Sequence, residues 1–498
     1  MLFADLPEDI LRLVFTTHFA RDMRTLALLA ALSRRLNRIT TPILYSHVTL
    51  GLDDVDESRK VRRFIMSVFS SPHLAQCVRS LELNTLYWIS RPSLSRRREA
   101  LIARMMAGNI LGRPDRLDMF RLITVVRRLP LLDKHKAHWC SELQEFDPSL
   151  DSLIALLFVV LPSIEHLECP WSSDASFIWH MLPRTDKRKV DPSPLPLVLR
   201  NLTHLKVHSQ SPCGNTSEIL PFFQMPLLTH FFGSNWGPIR RDGWDGGVED
   251  GVGDLGGDGA TASAITHLEL RHCKTDLYSL QTIFKQCRSV RTFIFHRDWD
   301  PRVHVRLPAD SITNALDSLR GTLENITLTF EPGIYIHHEG EIYPLNFSKF
   351  SSLLKLHIAA GYIVHDPDDF EIPDSKMYGP ESEIDPLHTR LPESLEVLHI
   401  TGFSTPQQMR LLIEDCHRLL KLRSHFPRLR ELHIEAPLDD SYATLGMKAL
   451  QHEARRADVL LREINNAEMY LDDEDDLLTP SGCDWGMNGE FKWSTKIF

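Results

Sequence analysis

The chain has 498 residues, 43% of them hydrophobic and 24% charged, with a formal net charge of −10 and a pI near 6.2. This acidic balance excludes the basic footprint of a nucleic-acid binder, and the longest apolar run, Ile154 to Leu161, falls far short of the ~20 residues that cross a bilayer. The 8 cysteines are scattered without a Cys-x-x-Cys pair, which predicts reduced thiols in the cytoplasm or nucleus rather than a disulfide framework. Asp5, Glu8 and Asp9 stand where a secretory signal would need basic residues, so an intracellular protein is expected.

Three short helices are predicted over the first 45 residues. Pro7 suits a first helical turn, where its missing N–H costs nothing. Ile10, Leu11, Val14 and Phe15 then repeat at helical spacing. Asp22 is the expected N-cap of a second helix, Met23 to Ala31, and Pro42 closes a third. Helices of this size bury little surface. Leu6, Pro7 and Ile10 crowd together, so part of the apolar surface is expected to meet a partner. A plain helical cap on the following domain is the alternative.

Leu6-Pro7-Glu8-Asp9-Ile10-Leu11, the Leu-rich stretch Leu26, Leu28 and Leu29, and Ser33-Arg34-Arg35-Leu36 resemble the F-box. That module docks on the Skp-type adaptor of cullin-RING ubiquitin ligases. Leu36 stands where many animal members carry Trp and fungal-type members often carry Leu. The resemblance covers residues 1–48. It implies that Leu6, Pro7, Ile10, Leu11, Phe15, Leu26, Leu29, Ser33 and Leu36 serve adaptor binding or the small core behind it. Sequence does not divide them between the two jobs.

From residue 49 to 441 a short phrase returns, apolar-x-x-Leu-x-apolar. Val78 to Leu83, Ile164 to Cys169, Leu202 to Val207 and Ile265 to Leu270 are clear copies, with a weaker one at Leu228 to Gly233. Further copies lie at Val290 to Phe295, Leu323 to Leu328, Leu353 to Ile358, Leu395 to Ile400 and Leu429 to Ile434. Helix-like segments such as Ser279–Cys287, Ile312–Leu319 and Gln407–Leu420 lie between them. Strand, turn and helix at a recurring interval predict a stacked α/β array, and the phrase resembles the leucine-rich repeat. The expected fold is therefore α/β, an irregular leucine-rich-repeat-like solenoid with a parallel sheet on its concave face. An ordinary α/β sheet is the alternative.

Three insertions break the rhythm. Residues 93–149 read as helical and locally basic, best taken as a solvated face. Residues 237–264 are rich in Gly and Asp without the order a calcium loop needs, which predicts a disordered loop. Ile334 to Tyr343 reads as a β-hairpin. Residues 442–498 are expected to hold a capping helix through about Asn465 and an acidic tail.

No catalytic constellation is legible. His338-Glu339 lacks the second zinc-binding His, since Ile342 stands there. Cys416 and His417 are adjacent, so on a helix their side chains diverge. Neither a cofactor nor a metal is expected.

With the apolar residues of each phrase turned inward, their neighbours must turn outward. One outward column is then Glu82, Glu168, Lys206, Phe232, Glu269, Ile294, Thr327, His357, His399 and His433. The second is Ser80, His166, His204, His230, His267, Thr292, Asn325, Lys355, Val397 and Glu431. Lys206, Phe232, Glu269, Ile294, Thr327, His357, His399 and His433 are the candidate target-binding residues, with Phe232 and Ile294 as exposed apolar anchors. The histidines form two ladders, either tolerated at half-exposed strand sites or serving metal or pH-sensitive recognition.

The F-box resemblance implies a non-catalytic substrate receptor of a Skp–cullin–F-box ubiquitin ligase. Its partners would be a Skp-type adaptor, a cullin reached through it, and a target protein. An interaction scaffold with a drifted F-box is the alternative, and a dispersed-site hydrolase is a third.

Overall fold

The computed structural model describes residues 6–19, 22–51, 55–84, 116–129, 131–144, 149–171, 176–179, 181–182, 198–211, 214–239, 263–297, 309–330, 345–363, 385–403, 406–436 and 441–465. The chain opens with α1 (Glu8–His18), α2 (Met23–Leu32) and α3 (Arg34–Leu44). Pro7 is the N-cap of α1, one position before the expected first turn. Asp22 caps α2 by accepting from Thr25 N at 2.9 Å. Ser33 caps α3 by accepting from Leu36 N at 3.1 Å. Pro42 lies inside α3, two residues before its end, where only the N–H to the previous turn is lost.

Leu11, Phe15, Leu26, Ile39 and Ile43 form a core of their own, separate from the main core, with Leu6, Val14, Phe19, Leu29, Leu36 and Leu44 packed against it. Glu8 at the start of α1 pairs with Arg35 and Arg38 of α3, and Arg35 also donates to the Leu6 carbonyl. These ties hold α1 against α3 where apolar area is scarce.

Only Tyr45 and Ser46 separate α3 from the first strand. In chain order the strands are β1 (His47–Gly51), β2 (Ser80–Asn84), β3 (His166–Trp171), β4 (His204–Ser209), β5 (Gly214–Asn215), β6 (His230–Ser234), β7 (Trp236–Gly237), β8 (His267–Cys273), β9 (Thr292–Arg297), β10 (Asn325–Phe330), β11 (Lys355–Ala359), β12 (Val397–Thr401), β13 (Glu431–Ala436) and β14 (Leu460–Asn465). All except β5 and β7, which pair with each other, join one 12-stranded parallel sheet in sequence order. Helices lie in the crossovers from β1 to β2, β2 to β3, β8 to β9, β9 to β10, β12 to β13 and β13 to β14, since parallel strands need a long connection between them.

A recurring hydrogen bond sets the register. The carbonyl just ahead of one strand accepts two consecutive N–H groups from the start of the next. Ser46 O takes Arg79 N and Ser80 N at 3.0 and 2.9 Å, and Glu165 O takes Thr203 N and His204 N at 2.8 and 3.0 Å. The pairing repeats from Arg79, Thr203, Thr229, Thr266, Arg291, Glu324, Leu354 and Glu396. Loops of very different length therefore feed strands that all begin in step, and a slip of one residue would turn every side chain to the wrong face.

The inward positions Leu81, Leu167, Leu205, Phe231, Leu268, Phe293, Ile326, Leu356, Leu398 and Leu432 share one continuous core with the crossover helices. Val61 and Ile65 of the helix Val55–Ser70, Ile283 of Leu277–Gln286, Leu412 of Pro406–Lys421 and Leu450 of Ser441–Arg456 line its other side. The alternating apolar pattern of each strand thus buries one face and leaves the second to other uses.

The strand count and the C-terminal helix differ from expectation. The sheet has two strands more than the ten phrases: β1 ahead of them and β14 behind. The proposed boundary at residue 48 consequently falls inside β1. The last helix stops at Arg456, and Asp458 takes a left-handed φ of 55° that ends it, so Leu460 to Asn465 run as an edge strand beside β13. That helix is a crossover, and the terminal element of the described sheet is β14. The segments 85–115, 240–262, 331–344 and 466–498, which hold the Arg96 cluster, most of the Gly/Asp loop, the hairpin and the acidic tail, lie outside the described residues. Within the 93–149 insertion, the helices Arg116–Arg128 and Asp133–Gln144 are present.

Candidate interaction surfaces

The helical module divides the residues that the sequence left together. Leu11, Phe15 and Leu26 are wholly buried and belong to its core. Leu6, Leu29 and Leu36 are half-buried against that core, and Ser33 is committed to capping α3. Pro7 and Ile10 face outward, Ile10 with 45% of its surface exposed. Three leucines outside the candidate set join them: Leu13, Leu28 and Leu32, exposed by 58%, 63% and 71%. Leu28 and Leu32 stand one turn apart on α2, and Ile10 and Leu13 share a side of α1. The sequence signal for them was available. Met23–Leu32 carries apolar residues all round, more than one buried stripe can use.

On the second face of the sheet, both columns are in register from β2 to β13. Glu82, Glu168, Lys206, Phe232, Glu269, Ile294, Thr327, His357, His399 and His433 are successive partners across the ladder. Thr49 of β1 and Arg462 of β14 extend that column at its two ends.

Exposure along the column differs from expectation. Glu269 is 1% exposed, Ile294 8% and His399 5%, although none of the three belongs to the main core. In-register neighbours only ~4.8 Å away shade one another. Glu269 is drawn down by Arg271 and by His267, whose Nε2 lies 3.6 Å from its carboxylate. His399 is sandwiched between the rings of His357 and His433, at 4.0 and 5.4 Å. Ile294 is therefore no exposed anchor. Phe232 is half-buried, with Lys206 Nζ 5.4 Å from its ring centre and the His208 ring edge-on at 5.5 Å.

Lys206 and His208 also reach Glu168, at 2.8 and 3.2 Å. Burial pushes the Glu168 carboxyl up, but these two partners outweigh it and hold it below the usual carboxylate range. Thr327 stays half-buried between Ile294 and His357.

The first histidine ladder is a continuous stack. Ring centres are 4.4 Å apart from His166 to His204, 4.2 Å from His204 to His230 and 5.4 Å from His230 to His267. The residue before each of the last three is Thr, and its hydroxyl has a defined job. Thr203 Oγ1 donates to Glu165 O at 3.0 Å, and Thr229 Oγ1 donates to Thr203 O at 3.1 Å. A hydroxyl has one proton to give. The 2.9 Å contacts of His204 Nδ1 with Thr203 Oγ1 and of His230 Nδ1 with Thr229 Oγ1 are then donated by the rings. Both neutral rings carry their proton on Nδ1 and leave Nε2 bare. Burial, together with the neighbouring imidazoles, lowers the affinity of His166, His204 and His230 for a second proton, His204 to about 4. Burial likewise pushes His357 down to about 3 and lowers His433, even though Glu431 accepts from the latter at 2.9 Å.

Among the described residues, no three metal-ligating groups converge on one point. Cys416 is buried, and burial pushes its thiol up, away from the reactive thiolate. Among the described residues no helix is long and apolar enough to cross a membrane. No family model matches the chain, and no curated protein matches it either.

Proposed function

We propose that this protein is the substrate-recognition subunit of a Skp–cullin–F-box ubiquitin ligase. In this reading α1 to α3 are an F-box-type module for a Skp-type adaptor, and the sheet belongs to a leucine-rich-repeat-like solenoid whose second face holds a target protein. One observation supports it above the others. A module with its own closed core still turns Pro7, Ile10, Leu13, Leu28 and Leu32 outward, and apolar groups left facing water in that way suit a partner.

The mounting also suits the task. Two residues join α3 to β1, and Ser46 O accepts from Arg79 N and Ser80 N at the first strand pair, a short connection between the module and the sheet. A receptor of this kind does no chemistry. It raises the local concentration of its target beside the ubiquitin-loaded enzyme, from the cytoplasm or nucleus. The test is affinity purification of the tagged chain from cells with the proteasome inhibited. Recovery of both a Skp-type adaptor and a cullin is expected. Adaptor without cullin would favour the non-ligase scaffold, and recovery of neither would overturn the adaptor reading.

A further inference from the structure

The histidine stack on β3, β4, β6 and β8 has a consequence that does not depend on the ligase reading. We propose that His166, His204, His230 and His267 form an acid-operated switch on the second face of the sheet. Neutral, the rings lie as one face-to-face stack across four strands; when adjacent rings take protons, the stack splays and that face becomes cationic.

The geometry leaves the stack little alternative. His204 and His230 are tethered through Nδ1 to Thr203 and Thr229, so a further proton must enter at Nε2. Their planes are 12° apart and their centres 4.2 Å apart, so two imidazoliums would face each other at stacking distance. Strand pairing fixes this separation, because the rings leave consecutive strands at one register position. Only splaying the side chains, or loosening the strands, relieves the repulsion.

The surroundings supply few spare counter-charges. Ahead of the stack Glu165 is paired with Arg79 at 2.7 Å, and it favours protonation of His166 alone. Two residues further along the strands, Glu168 is held by Lys206 and His208, and Glu269 by Arg271. Glu269 also lies within 3.6 Å of His267. Glu82 is engaged by the Thr49 hydroxyl and Asn84, and His47 adds a further like charge beside His166 when protonated. Beyond β8 the column continues with the uncharged Thr292 and Asn325.

The direction of the pH effect follows by linkage. An unfolded histidine titrates near 6.5, whereas burial and the adjacent rings hold His204 at about 4 in the fold. Below about 6.5 the unfolded chain therefore binds more protons, and the stability that is complete above that pH is lost as the pH falls towards 4.

Two measurements on the full chain test the switch. In the first, histidine side chains labelled at Cε1 are followed by NMR from pH 8 to pH 4 and assigned with the single variants His204→Asn and His230→Asn. The His204 signal is expected to have its midpoint at least one pH unit below 6.5; a midpoint near 6.5 for both inner rings would overturn the proposal. In the second, urea unfolding is compared at pH 7.5 and 5.0. The folding constant of the parent chain should fall at least tenfold, and that of His204→Asn/His230→Asn at least threefold less, with His166, His357 and His433 carrying the remainder. An equal fall in both proteins would overturn it. The NMR arm decides alone if the double variant does not fold.

Discussion

In the helical module five side chains, Leu11, Phe15, Leu26, Ile39 and Ile43, carry the whole buried core. In the sheet the ten strands between the two edges each add at least one inward residue to a single core, and the edge strands β1 and β14 pack Val48, Leu50 and Leu461 against it. The outward sides differ in the opposite sense. The module turns leucines and an isoleucine to water, whereas the sheet covers its second face with stacked imidazoles and internally paired charges such as Lys206–Glu168 and Arg271–Glu269. The comparison separates two uses of an apolar residue. Where a helix has more of them than its core can take, the excess stays exposed to water; where strands have one inward set each, the other set is left to polar contacts.

Truncation should expose this contrast most sharply. Phe293→Ala empties a fully buried site between β8 and β10 and should destabilise the sheet by ~3–5 kcal/mol. Phe15→Ala removes a ring of the same size from the module, yet the loss should stay local. Adaptor binding should weaken while the main unfolding transition, followed by calorimetry, moves little. A shift of that transition as large as for Phe293→Ala would mean that the two cores are one cooperative unit.

Caps should matter less. Ser33→Ala deletes the acceptor for Leu36 N and should cost the module ~1 kcal/mol, read as faster hydrogen exchange in α3 with that of the sheet unchanged. Leu28→Ala should be smaller still, within ~0.5 kcal/mol, because the side chain is mostly exposed. A larger loss would place Leu28 in the core and weaken its role as a contact residue.

Much of the sheet was legible because strand periodicity and the repeated phrase point the same way. From Leu81 to Leu432 the inward positions and both outward columns follow from alternation alone. What alternation cannot give is depth. Glu269, Ile294 and His399 have the predicted direction but are covered by neighbours that come together only when distant segments pair. β14 escaped for another reason. Leu460, Leu461 and Ile464 continue the spacing of the helix before them, and only the left-handed backbone at Asp458 breaks it. The role of Thr203 and Thr229 was equally hidden, because a Thr-His pair becomes a clamp only once the carbonyl of the preceding strand lies beside it. In the module, the caps and the helical stripe were readable, but the split between core and surface depended on how α1 and α2 pack on α3.

The most direct test of the account is isothermal titration calorimetry of the purified full chain with a purified Skp-type adaptor, beside the variant Ile10→Glu/Leu13→Glu. Both substituted side chains already face water, so the variant should unfold at the parent's temperature. The parent should bind, and the variant should bind at least tenfold more weakly. No binding by the parent, or equal binding by both, would contradict it.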